Sequence, residues 1–151
     1  MISRFELFVS SVSSIYRYIQ KIERVEMEKY GLKGPHAQCL LAMMRYPDGM
    51  TASELCSACE KDKAAISRTV AELEREGLVE RIAKNGNLYR ATLKLTAAGE
   101  KAARQVDARA QFAVDKAGES MTDEERTVLY KTLALIAGNL QTISSEGLEE
   151  Q

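Results

Sequence analysis

The sequence has one histidine, three cysteines, two prolines and no hydrophobic run near the ~18 residues that a membrane span needs. His36, the single histidine, has no acid or nucleophile at motif spacing, which removes Ser/His/Asp and Cys/His catalysis. No glycine-rich loop is present to cradle a phosphate. The thiols at Cys39, Cys56 and Cys59, with His36, do not supply four ligands at zinc spacing. No enzyme activity, cofactor or metal is therefore expected. The N-terminus carries Glu6 inside its apolar stretch and lacks a small-residue cleavage site, so it does not read as a signal peptide, and the expected location is the cytoplasm with no membrane partner. A dominant charge is lacking too: the net charge of −1 excludes a wholly basic nucleic-acid coat. With 151 residues, 45% of them hydrophobic, the chain reads as one globular domain over 1–151 that can bury a core without metals or disulfides.

What is present is organised around Thr51 to Thr96. Thr51-Ala-Ser-Glu54 is a capping box, in which the threonine caps a helix start and the glutamate reaches back. The short helix it predicts runs through Leu55 and Cys59 to a sharp connection at Glu60-Lys61. Asp62 suits the start of a second helix, where its carboxylate meets unpaired N–H groups and the positive end of the helix dipole. Ile66, Val70, Leu73 and Leu78 recur at three-to-four-residue spacing, and Gly77 ends the helix. Two strand-like runs, Leu78 to Ala83 and Leu88 to Leu95, flank Asn85-Gly86, a pair that tolerates the positive φ angles of a type I′ hairpin. Helix, tight turn, helix and hairpin is the order of a winged helix-turn-helix. The second helix of such a unit fits a DNA major groove, and the hairpin reaches an adjacent groove or the backbone. The alternative is a small α+β unit that uses its hairpin for packing alone.

Charge is unevenly distributed. Lys61 to Lys94 holds eight basic and five acidic residues, whereas Leu95 to Gln151 holds six basic and ten acidic. Positive charge thus sits on the segment that would meet phosphates, although a segment of this size reaches such a balance by chance often enough.

Thr51-x-x-Glu54-Leu55, then Ile66-Ser67-Arg68-x-Val70-x-x-Leu73-Glu74-x-x-Gly77-Leu78-Val79-x-Arg81, then Leu95-Thr96-x-x-Gly99 together resemble the MarR family, the multiple antibiotic resistance regulators. The resemblance covers the whole chain in length and helix order, and this stretch in motif. It implies a mainly α (α+β) fold: a winged helix-turn-helix DNA-binding region over 34–96, with long N- and C-terminal dimerisation helices over 1–33 and 97–145. It further implies a homodimeric transcription factor on double-stranded DNA, released by a small ligand or by oxidation. Family members that sense peroxide carry the reactive cysteine in the first helix, and this first helix has none. The resemblance also places a ligand pocket near the first, second and fifth helices. Tyr16, Arg17, Tyr30 and His36 are the candidates there for a small aromatic or phenolic effector; a solvated His36 is the other reading.

The remaining helices follow from spacing. Ile2 to Tyr30 reads as one helix with Phe5, Val9, Val12, Tyr16 and Ile19 in its stripe, ended by Gly31. Pro35 suits the first turn of the next, whose buried face is Cys39, Leu40, Met43 and Met44, before a turn at Pro47-Asp48-Gly49. Thr96 caps an alanine-rich helix to about Gly118. Thr122-Asp-Glu-Glu125 opens a last helix with a seam of Leu129, Leu133, Ile136, Leu140 and Ile143, and a polar tail begins at Ser144. These terminal stripes exceed what one winged helix covers, which predicts a homodimer; the alternative is a monomer whose long helices cover one another. Cys56 and Cys59 lie inside a short helix and read as small core hydrophobes.

In the hairpin the family's Asp-x-Arg falls on Asn87-Leu88-Tyr89, so both charges are lost and an arginine appears one residue later, at Arg90. Strand alternation puts Tyr89 with Ala91, Leu93 and Leu95, and Arg90 with Thr92 and Lys94 on the opposite face; a bulge would turn Arg90 inward. The predicted groove-facing residues are Lys63, Ala64, Ala65, Ser67 and Arg68, with Thr69 nearby. Ser53 and Arg75 are phosphate candidates, and Lys84, Asn85, Asn87 and Arg90 belong to the wing. A regulator of this kind, a repressor on a pseudo-palindromic operator, is the expectation. Its rival is a winged-helix protein-interaction module, which Glu72, Glu74 and Glu76 late in the second helix favour slightly.

Overall fold

Local caps set most of the element boundaries in the computed structural model, which describes residues 1–150 and, within them, all side chains but those of Leu88 and Tyr89. The expected inward position of Tyr89 lies outside the described residues. Ser3 and Glu6 exchange hydrogen bonds at 3.0 and 2.8 Å and start α1 (Arg4–Glu28), two residues later than the sequence suggests. At the other end the Leu32 N–H donates to the Met27 carbonyl at 2.9 Å and the Gly31 N–H to that of Glu28 at 3.1 Å. These are the paired bonds of a Schellman turn, and Gly31 supplies its left-handed residue with φ of +70°. Helix α2 (Gly34–Met44) follows with Pro35 in its first turn, then α3 (Ala52–Cys59), α4 (Lys63–Arg75), strands β1 (Val79–Lys84) and β2 (Asn87–Leu95), α5 (Ala97–Ala117) and α6 (Asp123–Glu146).

The chain divides into two compact units, Met1–Ala110 and the remainder from Gln111. In the first, α2 is the hub and packs against α1, α3, α4 and β2. Leu40, Leu55 and Leu73 are fully buried at its centre, with Met43, Val70 and Leu93 beside them. Each such side chain stabilises the fold by roughly 1.5–3 kcal/mol through removal from water. In the second unit, the end of α5 turns at Gly118, and Thr122 and Glu125 form the capping box of α6. Arg126 donates to the Gly118 carbonyl at 3.1 Å. Helix α6 continues through Ser144 to Glu146, and none of its residues is buried. Among the described residues no helix is long and apolar enough to cross a membrane.

The hairpin pairs Val79 with Leu95, Glu80 with Lys94, Arg81 with Leu93 and Ile82 with Thr92, then slips so that Lys84 faces Asn87. The two residues of the tip, Asn85 and Gly86, have φ of +53° and +76°, both positive as a type I′ turn demands. Despite the slip, Ala91, Leu93 and Leu95 are buried and Arg90 is exposed, so the inward-turned arginine does not occur. A third, unforeseen edge is Met50, which exchanges backbone hydrogen bonds of 2.9 and 2.7 Å with Leu93 and ties the start of α3 to the sheet.

Candidate nucleic-acid interface

Helix α3, the turn after it and α4 form the helix-turn-helix. Thr51 and Glu54 close the capping box of α3 at 3.1 and 2.8 Å. Its end is a Schellman turn in which Glu60, not a glycine, takes the left-handed position with φ of +51°. Asp62 then accepts from the Ala65 N–H at 2.7 Å and caps α4. One face of α4, made by Ile66, Thr69, Val70 and Leu73, is buried. The opposite face leaves Lys63, Ala64, Ser67 and Arg68 exposed, with Arg75 two turns further on and Ala65 half-buried at its margin. Thr69 departs from the group expected at the groove: it is 8% exposed, because position 69 falls between 66 and 73 on the core side of the helix.

Ser53 is exposed in the first turn of α3, and Lys84, Asn85, Asn87 and Arg90 are exposed on the hairpin. Arg75 is exposed as well, and its Nε lies 3.4 Å from the Ala71 carbonyl of its own helix. Two of the acidic residues late in α4, Glu72 and Glu74, have partners on neighbouring elements, whereas Glu76 is exposed at the helix end. Glu74 accepts from Arg81 Nε at 2.6 Å and fastens β1 to α4. Glu72 accepts from Lys33 Nζ at 2.9 Å and from His36 Nε2 at 2.7 Å. The Lys33 and His36 bonds together hold the Glu72 carboxyl down at about 2.

His36 is neither solvated nor open to a ligand. It is 3% exposed, its Nδ1 accepts from the Lys33 N–H at 3.1 Å, and Nε2 is left to donate to Glu72. The backbone donor fixes the Nε2–H tautomer and makes the ring a strut between α2 and α4. Tyr16 and Arg17 are exposed along α1 and Tyr30 in the turn after it, with the Arg17 guanidinium 5.1 Å from the Tyr18 ring centre. A cleft of about 250 Å³ lies elsewhere, between α2, α3 and α4, with Lys33, Cys39, Cys59, Lys61 and Arg68 in its wall. Sequence reasoning missed this cleft and the Glu72 clamp, because their residues come from three helices without a shared motif.

The sequence profile of the MarR family matches residues 30–86, from the end of α1 to the hairpin tip. The match is confined to the winged-helix segment, which is thus similar to that of the MarR family. Solved structures extend the likeness in fold to nearly the whole chain. A structure of MarR itself has a TM-score of 0.79 at 25% identity, covering 97% of this chain and 99% of that one. A MarR transcriptional regulator from Methanosarcina mazei Go1 gives 0.81 at 23% identity, over 91% of this chain and 92% of its own. MepR of S. aureus, solved as a complex with DNA, gives 0.77 at 17% identity, over 92% and 97%. No curated protein sequence matches the chain.

The residues that carry the resemblance to the MarR family are mostly structural here. Thr96 donates through Oγ1 to the Gly77 carbonyl at 2.6 Å and accepts from the Gly99 N–H at 3.0 Å. A Cβ on Gly99 would run into the Leu78 carbonyl. Leu95-Thr96-x-x-Gly99 thus locks the start of α5 onto the end of α4, as Glu74–Arg81 locks β1 onto the same helix. Both locks hold the exposed face of α4 beside the hairpin.

Proposed function

We propose that the chain is a DNA-binding transcription regulator that reads the major groove with the exposed face of α4. The observation that carries this reading is that face: Lys63, Ser67 and Arg68 project from a helix whose other side is anchored in the core and whose start is capped. A helix of this width fits the major groove, where an arginine can donate two bonds to guanine and a lysine can neutralise a phosphate. Ser53 and Arg75 would meet phosphates, and the hairpin with Lys84, Asn85, Asn87 and Arg90 would reach the adjoining backbone or minor groove. The structure of S. aureus MepR with DNA supports the same use of a similar fold.

In this reading the protein acts in the cytoplasm as a homodimeric repressor on a pseudo-palindromic operator, since two copies present two copies of α4. The dimer's support is apolar surface: Phe5, Val9, Val12 and Ile19 on α1, and Leu129, Leu133 and Leu140 on α6, are exposed in the single chain. A small aromatic or phenolic effector meeting Tyr16, Arg17 and Tyr30 would release the DNA, with His36 withdrawn from that set by its two hydrogen bonds. The interaction-module reading keeps only one of the three residues that favoured it, the exposed Glu76, because Glu72 and Glu74 are engaged by Lys33, His36 and Arg81. Selection of bound fragments from genomic DNA tests the proposal. Enrichment of one inverted repeat, with half-sites about one helical turn apart, is expected. Recovery of fragments without any shared sequence would remove the regulator reading.

A further inference from the structure

Cys39 in the middle of α2 and Cys59 at the end of α3 place their sulfur atoms 4.0 Å apart, near enough for one thiol to donate to the other. Both border the 250 Å³ cleft, Cys39 at 2% exposure and Cys59 half-buried. Core packing explains Cys39, which lies between Leu40 and the other apolar residues of α2. Cys59 packs against the edge of the same core, but there it also has charged neighbours. The hydrogen bond from Cys39, with the positive charges of Arg45 and Lys61, holds the Cys59 thiol below its ordinary range against the opposing effect of burial. The same bond, together with burial, pushes Cys39 strongly up. Of the two, Cys59 is therefore the thiol that ionises first, and Cys39 keeps the shared proton.

We propose that Cys59 and Cys39 form a reversible dithiol–disulfide site whose oxidant is a small hydroperoxide. The Cys59 thiolate attacks the terminal oxygen of the peroxide. A sulfur–oxygen bond forms, the oxygen–oxygen bond breaks, and the departing alkoxide or hydroxide takes a proton from solvent. Cys59 is then a sulfenic acid. Cys39 attacks that sulfur, the S–O bond breaks, and the hydroxide leaves as water with the Cys39 proton. Two electrons pass from the thiol pair to the peroxide. Lys61 and Arg68 in the cleft wall face the oxygen anion as it departs. Closing the gap to the ~2.05 Å of a disulfide draws the end of α3 toward α2, three residues before Asp62, the cap of α4. The site stands whether or not the chain binds DNA.

Peptide mapping of the full chain after treatment with stoichiometric hydrogen peroxide, acid quench and alkylation tests it. The expected product is a Cys39–Cys59 cross-linked peptide, two of the three thiols lost, and full recovery with dithiothreitol. Cys56→Ser leaves this unchanged, and in Cys39→Ser a dimedone adduct accumulates on Cys59. The oxidation rate rises with pH through the neutral range, earlier than for an ordinary thiol, following the thiolate fraction of a group held below its usual value. A Cys56–Cys59 bond, a disulfide between two chains, or three intact thiols after excess peroxide would each overturn the proposal.

Discussion

A single methyl group at Gly99 would collide with the Leu78 carbonyl, a backbone atom held in place by its own bond from the Thr96 N–H at 3.0 Å. Neither partner can rotate away, so Gly99→Ala should lower stability by about 1–3 kcal/mol, the usual cost of overfilling a packed site. Urea unfolding of the two proteins checks this, and Ala98→Ser, at an exposed position of the same helix, should change little. Gly99 was visible in the sequence only through the resemblance, since nothing in spacing shows what a glycine stands against. Thr69 was legible by spacing, as positions 66, 69, 70 and 73 share a helix face, but its polarity argued for the surface. His36 and Glu72 were not legible as a pair: 36 residues separate them, and only the packing of α2 on α4 brings them to 2.7 Å.

Helix α1 is held at its C-terminal end by Met27, which is buried, and by Glu26, whose carboxylate receives two bonds from Arg109 of α5 at 3.0 and 3.1 Å and one from Lys29 at 2.8 Å. Those donors, Arg109 first, hold the Glu26 carboxyl at about 2, as Lys33 and His36 hold Glu72. Both values lie below the ordinary 4.5, so the unfolded chain binds protons before the folded one as pH falls. The stability these groups contribute is complete above about pH 4.5 and drains away from there to about 2. The melting temperature should fall across this window, and Glu26→Gln should lower it at pH 7 while flattening the slope below pH 5. Equal slopes in both proteins would deny the Glu26–Arg109 tie its role. Most element boundaries were readable, because caps are local: Thr51, Asp62, Gly77, Asn85-Gly86 and Thr122 act where the sequence suggests. The Met50–Leu93 bridge was not, since it joins the residue before the α3 cap to a strand residue 43 positions later and has no pattern of its own.

For the whole molecule, the proposed dimer rests on the apolar residues exposed on α1 and α6. Light scattering after size exclusion should give twice the 16.8 kDa chain mass at micromolar concentration; a stable monomer would contradict the dimer. The winged-helix order was legible because each of its parts has a local signature, whereas the partner of the terminal helices has none within one chain. The central claim is that the exposed face of α4 meets DNA. Fluorescence anisotropy on a duplex carrying the selected repeat, titrated over a range of salt with the wild type, Lys63→Ala and Arg68→Ala, tests it most directly. Wild-type affinity should fall linearly on a log–log salt plot. Lys63→Ala should reduce that slope by about one per chain, and Arg68→Ala should weaken the selected site by ~1–3 kcal/mol while sparing random DNA. Unchanged affinity and slope in both variants would contradict the account, because α4 would then lie outside the interface.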